Sequence, residues 1–123
     1  MKVCLIDDDP EDAELFQDAI KRIDNSIEFV WFDDGMTGLN SFLKEGNLPD
    51  ILFLDVNLPQ VSGKELLKLF RENQITRSLQ IVIYSTSISK RDIEETSVYD
   101  VKHYLQKPES FEALYSELKE IIT

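Results

Sequence analysis

The feature that most restricts the fold of this chain is a regular alternation of short apolar runs and segments with helical spacing. Five runs are predicted to be strands, and three of them are almost continuously apolar, which indicates strands that are covered on both faces. The predicted strands are Val3 to Ile6, Ile27 to Phe32, Ile51 to Leu54, Ile81 to Tyr84 and His103 to Gln106. Alternation of this kind predicts a parallel sheet with helices on both sides.

Five segments with one apolar face follow these strands. Their predicted buried stripes are Ala13, Phe16, Ile20 and Ile23; Met36, Leu39 and Leu43; Leu66, Leu69 and Phe70; Ile93 with Val98 and Tyr99; and Phe111, Leu114, Tyr115, Leu118, Ile121 and Ile122. Right-handed crossovers then favour a flavodoxin-like α/β three-layer sandwich with five helices and a five-stranded parallel sheet in the order 2-1-3-4-5.

The length and charge of the chain exclude several classes of protein. At 123 residues we expect residues 1–123 to form a single domain, with no effector domain. No apolar run approaches the roughly 18 residues of a membrane span, and the amino terminus does not resemble a signal peptide, so we expect a cytoplasmic protein. The net charge of −11 argues against direct contact with nucleic acid.

Carboxylates follow two strands that this order places side by side. Asp7, Asp8 and Asp9 end the first run, and Asp55 ends the third. Ligands of such sheets collect at the carboxyl ends of the strands where the strand order reverses, so Asp7, Asp8 and Asp55 should share one crevice. Because neighbouring carboxylates oppose each other's ionisation, the cluster predicts a bound cation. Asp9 instead precedes Pro10 and is a predicted helix cap.

Two further side chains should open onto the same edge of the sheet, Ser85 after the fourth strand and Lys107 after the fifth. Together these motifs resemble the receiver domain of bacterial two-component response regulators over the whole chain, in particular the stand-alone, chemotaxis-regulator-like members. The matching motifs are Leu5-Ile6-Asp7-Asp8-Asp9, Leu52-Phe53-Leu54-Asp55-Val56-Asn57-Leu58-Pro59 with Gly63 beyond, Ile83-Tyr84-Ser85-Thr86, and Tyr104-Leu105-Gln106-Lys107-Pro108.

The resemblance implies a phosphoprotein rather than an enzyme that acts on a separate substrate. Asp55 would accept a phosphoryl group from a histidine kinase or a phosphotransfer protein, and the chain would catalyse only its own phosphorylation and dephosphorylation. Mg²⁺ would be held by Asp8 and Asp55, by Asp7 through water and by the backbone carbonyl of Asn57, since this ion needs few protein ligands and keeps several waters.

The resemblance also implies a switch. Lys107 and Ser85 would contact the phosphoryl group, and the Lys107-Pro108 peptide would be cis. Ser85 would be drawn inward on phosphorylation, and Tyr104 would turn from exposed to buried. The face formed by the fourth helix, fifth strand and fifth helix would then bind a downstream protein, with homodimerisation as a possible result.

Three other functions stay open at this point. The chain could be a receiver-like binding module without phospho-switching, in which Tyr104 only packs against a helix. The spacing of Asp7 and Asp9 also occurs in aspartyl-phosphate phosphohydrolases, although Pro10 and Glu11 do not fit that motif. A flavin carrier could share the fold, but an acidic loop would repel the phosphate of its cofactor.

Overall fold

The computed structural model describes residues 1–123 and has the predicted sheet. Its strands are all parallel and lie in the order β2-β1-β3-β4-β5. They are β1 (Lys2–Ile6), β2 (Glu28–Phe32), β3 (Ile51–Leu54), β4 (Ile81–Ser85) and β5 (His103–Gln106). The predicted strand order is therefore confirmed, and no predicted strand end is off by more than one residue.

Five helices cover the two faces of the sheet, as predicted. They are α1 (Pro10–Ile23), α2 (Gly35–Glu45), α3 (Gly63–Glu72), α4 (Lys90–Thr96) and α5 (Phe111–Ile122), and a short 3-10 turn (Ser97–Tyr99) follows α4. Residues of α1 and α5 form one core with the sheet, and residues of α2 and α3 form the other. None of the helices has the length and apolar character needed to cross a membrane.

The predicted ends of α1 and α2 are confirmed by their capping contacts. Asp9 caps α1, because its side chain accepts hydrogen bonds from the backbone N–H groups of Glu11 and Asp12. Gly46 ends α2 in the left-handed conformation, with φ at 61°, which a residue without Cβ adopts most easily.

The predicted apolar stripes are wrong in two places. In α3 the buried neighbour of Leu66 is Leu67, while Leu69 is exposed. After β4, Ile93 and Val98 were expected to be buried but are 41% and 76% exposed. The physical reason is that α4 ends after seven residues and gives way to a 3-10 turn, so the helical period does not extend across both residues.

The connection from α4 to β5 is held by an arginine on another helix. Asp100 adopts a left-handed conformation, with φ at 59°. The guanidinium of Arg71, in α3, donates hydrogen bonds to the carbonyl oxygens of Tyr99 at 2.7 Å, Asp100 at 3.1 Å, Leu79 at 2.7 Å and Arg77 at 2.8 Å. Four backbone acceptors on two connecting segments are thus satisfied by one side chain.

Candidate functional site

The sheet places the predicted acidic residues at one edge through backbone hydrogen bonds. Ile6 of β1 lies opposite Leu54 of β3, so the residues that follow them, Asp7 and Asp55, emerge side by side. The N–H of Asp7 donates to the carbonyl of Phe32 at 3.1 Å, and the N–H of Asp55 donates to that of Ile6 at 3.1 Å. Both aspartates are therefore positioned by the ends of strands rather than by flexible loops.

A close backbone contact supports Asp55 from behind. Gly63, at the start of α3, donates its N–H to the carbonyl of Val56 at 3.2 Å. A Cβ atom at position 63 would lie 2.2 Å from the carbonyl oxygen of Asp55 and 2.4 Å from Cα of Val56. Only glycine fits at this distance, so the glycine of the sequence motif has a steric role.

Asp7, Asp8 and Asp55 converge as predicted. Each offers one carboxylate oxygen, and these oxygens all lie within 4.8 Å of one another. Asp7 and Asp55 are buried and Asp8 is exposed. Burial raises the pKa of Asp7, and the opposing effect of Lys107 does not cancel this increase. The pocket therefore contains a carboxylate whose charge is poorly solvated by the protein alone.

The donor set of this pocket fits a hard divalent cation. Asp7 Oδ2 is fully buried yet has no hydrogen-bond donor of suitable geometry. Its nearest cation is the Lys107 ammonium, which forms an ion pair with it at 2.7 Å. Three carboxylate oxygens within 4.8 Å of one another carry more negative charge than the single ammonium of Lys107 can balance, and such an oxygen-rich pocket suits Mg²⁺ and similar oxygen-preferring ions.

Lys107 reaches the pocket from the end of β5. Its Nζ lies 2.7 Å from Asp7 Oδ2, 2.9 Å from Asp12 Oδ2 and 3.4 Å from Asp55 Oδ2. Burial lowers the pKa of Lys107, but the hydrogen bonds to Asp12 and Asp7 and the charges of Asp7 and Asp55 outweigh this effect and raise it above its ordinary value. The lysine is therefore a fixed positive charge at this site.

The prediction of a cis peptide bond before Pro108 is wrong, because the chain contains no cis peptide bond. Trans is the lower-energy isomer of an X–Pro bond by about 0.5–1 kcal/mol. The Lys107 side chain reaches the carboxylates from the trans form.

Hydrogen bonds fix the orientation of the Asp55 carboxylate. Asp55 Oδ1 accepts from the backbone N–H of Asn57 at 2.8 Å and from Ser85 Oγ at 3.0 Å. The side-chain amide of Asn57 donates to Ser85 Oγ at 2.7 Å. Ser85 is fully buried, so these bonds hold its hydroxyl beside the Asp55 carboxylate, and its predicted inward movement on phosphorylation stays a prediction.

Tyr104 is partly buried and is tied to α4. Its hydroxyl lies 2.8 Å from Thr96 Oγ1. Because Thr96 Oγ1 also donates to the carbonyl of Asp92 at 2.7 Å, Tyr104 is the donor in this pair. The ring packs at the margin of the core shared by α2 and α3, which places Tyr104 between the sheet edge and α4.

Sequence reasoning missed two contacts of this site. One is Asp12, which binds Lys107 from the first turn of α1. The sequence feature that could have predicted this contact is the position of Asp12 three residues after the helix cap Asp9, since side chains of a first turn point back toward the helix start. The other is the indole of Trp31, whose Nε1–H donates to the carbonyl of Asp7 at 2.7 Å.

The phosphohydrolase alternative depended on the spacing of Asp7 and Asp9. The side chain of Asp9 is used as a helix cap, so no observation favours this alternative.

Comparison with known proteins agrees with this fold. The family model for the response regulator receiver domain matches residues 3–119. The chain is 32% identical to the probable methanogenesis regulatory protein FilR2 of Methanothrix harundinacea, over 97% of this chain and 79% of that protein. It is 25% identical to the response regulator Rcp1 of Synechocystis, over 92% of this chain and 80% of that protein.

A solved structure is similar over nearly the whole chain. The phosphorylated cyanobacterial phytochrome response regulator RcpA superimposes with a TM-score of 0.87 and 29% identity, covering 98% of this chain and 89% of that one. The chain belongs to the response regulator receiver domain family.

Proposed function

We propose that this protein is a single-domain response regulator in which Asp55 accepts a phosphoryl group from the phosphohistidine of a kinase or phosphotransfer protein. The observation that carries the proposal is the convergence of three carboxylates within 4.8 Å with the Lys107 ammonium in contact with two of them, Asp7 and Asp55. The similarity to RcpA, which was solved in a phosphorylated form, supports it.

The chemistry assigned to Asp55 is nucleophilic attack on phosphorus. Asp55 Oδ1 is held by two donors, whereas Oδ2 has only the 3.4 Å contact with Lys107, so Oδ2 is the proposed nucleophile. A new oxygen–phosphorus bond forms as the phosphorus–nitrogen bond of the phosphohistidine breaks. The electron pair of that bond stays on the imidazole, and the product is an aspartyl phosphate. The ammonium of Lys107 stabilises negative charge on the phosphoryl oxygens.

Mg²⁺ is the proposed cofactor, with Asp8 and Asp55 as direct ligands, Asp7 as a ligand through water and the backbone carbonyl of Asn57 as a further ligand. When bound, the ion would neutralise charge on the phosphoryl oxygens during transfer. The cluster of three carboxylate oxygens within 4.8 Å of one another supports a cation in this pocket.

The proposed output is a change in the face formed by α4, β5 and α5, which would bind a downstream protein. Ile93 and Val98 expose apolar surface at α4 and the turn that follows it. The hydroxyl of Ser85 contacts Asp55, and the bond of Tyr104 to Thr96 links β5 to α4, so both side chains belong to the proposed switch. A cytoplasmic location and dimerisation on phosphorylation belong to this proposal as well.

Intact-mass measurement tests the central step. The protein with Mg²⁺ and acetyl phosphate should gain one phosphoryl group, whereas Asp55→Asn, or the parent protein with EDTA in place of Mg²⁺, should gain none. Trp31 reports on the metal separately, because its indole is bonded to the Asp7 carbonyl: Mg²⁺ should change its fluorescence in the parent and much less in Asp8→Asn. An adduct that persists in Asp55→Asn would refute the assignment of the acceptor.

One observation favours a second candidate, a binding module that does not switch. The Asn57 amide and the Asp55 carboxylate are both hydrogen-bonded to the fully buried Ser85, which restricts movement of its hydroxyl. Hydrogen exchange at α4 and β5 separates the two functions. Beryllofluoride with Mg²⁺ should alter exchange there if the protein switches and should leave it unchanged if it does not.

A further inference from the structure

A carboxylate outside the predicted site holds the lysine of that site. Asp12 lies in the first turn of α1, 95 residues away from Lys107 in the sequence, and its Oδ2 accepts a hydrogen bond from Lys107 Nζ at 2.9 Å. The Asp12 side chain is 32% exposed, whereas that of Lys107 is 10% exposed. Asp12 is thus the solvent-facing partner of a largely enclosed ammonium group.

The ammonium of Lys107 has three N–H donors and three carboxylate neighbours, so none of its donors is free for a further acceptor. Its contacts with Asp7 at 2.7 Å and Asp12 at 2.9 Å are both shorter than its 3.4 Å contact with Asp55. A phosphoryl group arriving at Asp55 must take over part of the hydrogen-bonding capacity of Lys107. Asp7 is fully buried, and its other carboxylate oxygen, Oδ1, is fixed by a hydrogen bond from the N–H of Asp9. The contact with the partly exposed Asp12 is therefore easier to release than the contact with Asp7.

We propose that Asp12 is a positioning residue that restrains Lys107 and selects against small, highly charged phosphoryl donors, an inference that rests on the phosphorylation of Asp55 proposed above. The negative charge of Asp12 repels an anionic donor. Its hydrogen bond to Lys107 also keeps the ammonium from contacting the phosphoryl oxygens of a donor that is not yet in position for attack by Asp55. A phosphohistidine presented by a docked protein gains binding energy from the protein interface, so it tolerates this restraint better than a free metabolite does.

Two small donors of different charge test the selection directly. Acetyl phosphate is a dianion at neutral pH, whereas phosphoramidate is a monoanion. In both reactions Asp55 Oδ2 attacks phosphorus, and the leaving group departs with the electron pair of the broken bond, as acetate from the first and as ammonia, already protonated in the donor, from the second. The measured quantity is the second-order rate constant of adduct formation, by intact mass, at saturating Mg²⁺.

Three variants separate the contact from the overall charge. Asp12→Asn removes the charge, and Asp12→Glu keeps it on a longer side chain. Glu11→Gln removes one negative charge from the preceding residue, which does not contact Lys107. We expect Asp12→Asn to raise the rate with acetyl phosphate on the order of threefold to tenfold, and the rate with phosphoramidate by less. Asp12→Glu should stay near the parent, and Glu11→Gln should change both rates by less than about twofold.

The outcomes distinguish this inference from the proposed function. An equal effect of Asp12→Asn and Glu11→Gln would overturn the inference, since only overall charge would matter. Slower reaction of Asp12→Asn with both donors would also overturn it, because Asp12 would then hold Lys107 in its productive position. In both cases adduct formation by the parent would leave the proposed function standing, whereas a parent that forms no adduct would refute both.

Discussion

The pocket around Asp55 and the region of α4 are held in place by different forces. In the pocket, backbone hydrogen bonds at strand ends and the close approach of Gly63 fix the side chains. In α4 the only buried residue is Thr96. This helix is attached through polar side chains, mainly Lys64 of α3, whose Nζ contacts Asp92 at 2.7 Å and Glu95 at 2.8 Å.

This difference shows that one small domain can combine a rigidly held pocket with a helix that is attached mainly by polar contacts. Regions with few buried apolar contacts have low local stability and move most easily. Ion pairs near the surface contribute little energy, so α4 can shift without loss of the core. The pocket cannot shift in this way, because its geometry is that of the sheet. The following substitutions test this contrast.

The largest effect should come from Gly63→Ala. The added methyl group would overlap the backbone of Asp55 and Val56, at 2.2 Å and 2.4 Å, and this backbone directly follows β3 and cannot easily move aside, because the N–H of Asp55 is bonded to the carbonyl of Ile6. We expect the free energy of unfolding in urea to fall by about 3 kcal/mol or more, and phosphorylation of Asp55 to slow.

Gly38→Ala is the matched control for that prediction. Its Cβ would meet only side-chain ends, Ile6 Cδ1 at 3.0 Å and Phe32 Cδ2 at 3.3 Å, and alanine favours the helix by about 1 kcal/mol over glycine. A net change within about 1 kcal/mol is expected. Equal effects of the two substitutions would show that the pocket is no more rigid than α2.

Arg71→Met should have the second largest effect and should act on the other region. The change leaves four carbonyl oxygens of two connections without their donor, and we expect a loss of about 2 kcal/mol of stability. Hydrogen exchange should increase at Tyr99 to Lys102 and remain unchanged near Asp7. Arg71→Lys keeps the charge but not the planar fork, so most of the loss should remain.

This contrast also explains what the sequence could predict. The positions of Asp7, Asp8, Asp55, Ser85 and Lys107 follow from the ends of strands, and strand ends were predictable from short apolar runs. The exposure of Val98 was not, because it depends on where a seven-residue helix gives way to a 3-10 turn. The contact of Asp12 with Lys107 was missed because strand alternation does not specify which side chain of a first helical turn reaches a neighbouring strand.

A third prediction concerns pH and the pocket without metal. Burial raises the pKa of Asp7 in the folded protein above its ordinary value. At pH values between the ordinary and the raised pKa, the folded protein therefore binds more protons than the unfolded chain. The stability that depends on Asp7 therefore falls as the pH rises through this interval and stays reduced at neutral pH. In EDTA at pH 7, Asp7→Asn should be more stable than the parent on the order of 1 kcal/mol.

Urea unfolding at several pH values checks that prediction. The difference between Asp7→Asn and the parent should shrink as the pH is lowered toward the ordinary pKa of aspartate. Mg²⁺ should stabilise the parent more than the variant, because Asp7 is one of the proposed metal-site carboxylates. A difference that is the same at every pH would contradict the assigned cause.

The smallest effect should come from Lys64→Met, which removes the link between α3 and α4. Lys64 is 30% exposed at its side chain, so the loss of stability should be less than about 1 kcal/mol. Hydrogen exchange of α4 should nevertheless increase, since no buried apolar side chain of this helix replaces the ion pairs. Lys68→Met is a suitable control, because Lys68 pairs only with Glu72 of its own helix, at 3.8 Å. If exchange of α4 responds equally to both substitutions, the ion pairs of Lys64 do not hold α4 in place. The contrast between α4 and the pocket would then be contradicted.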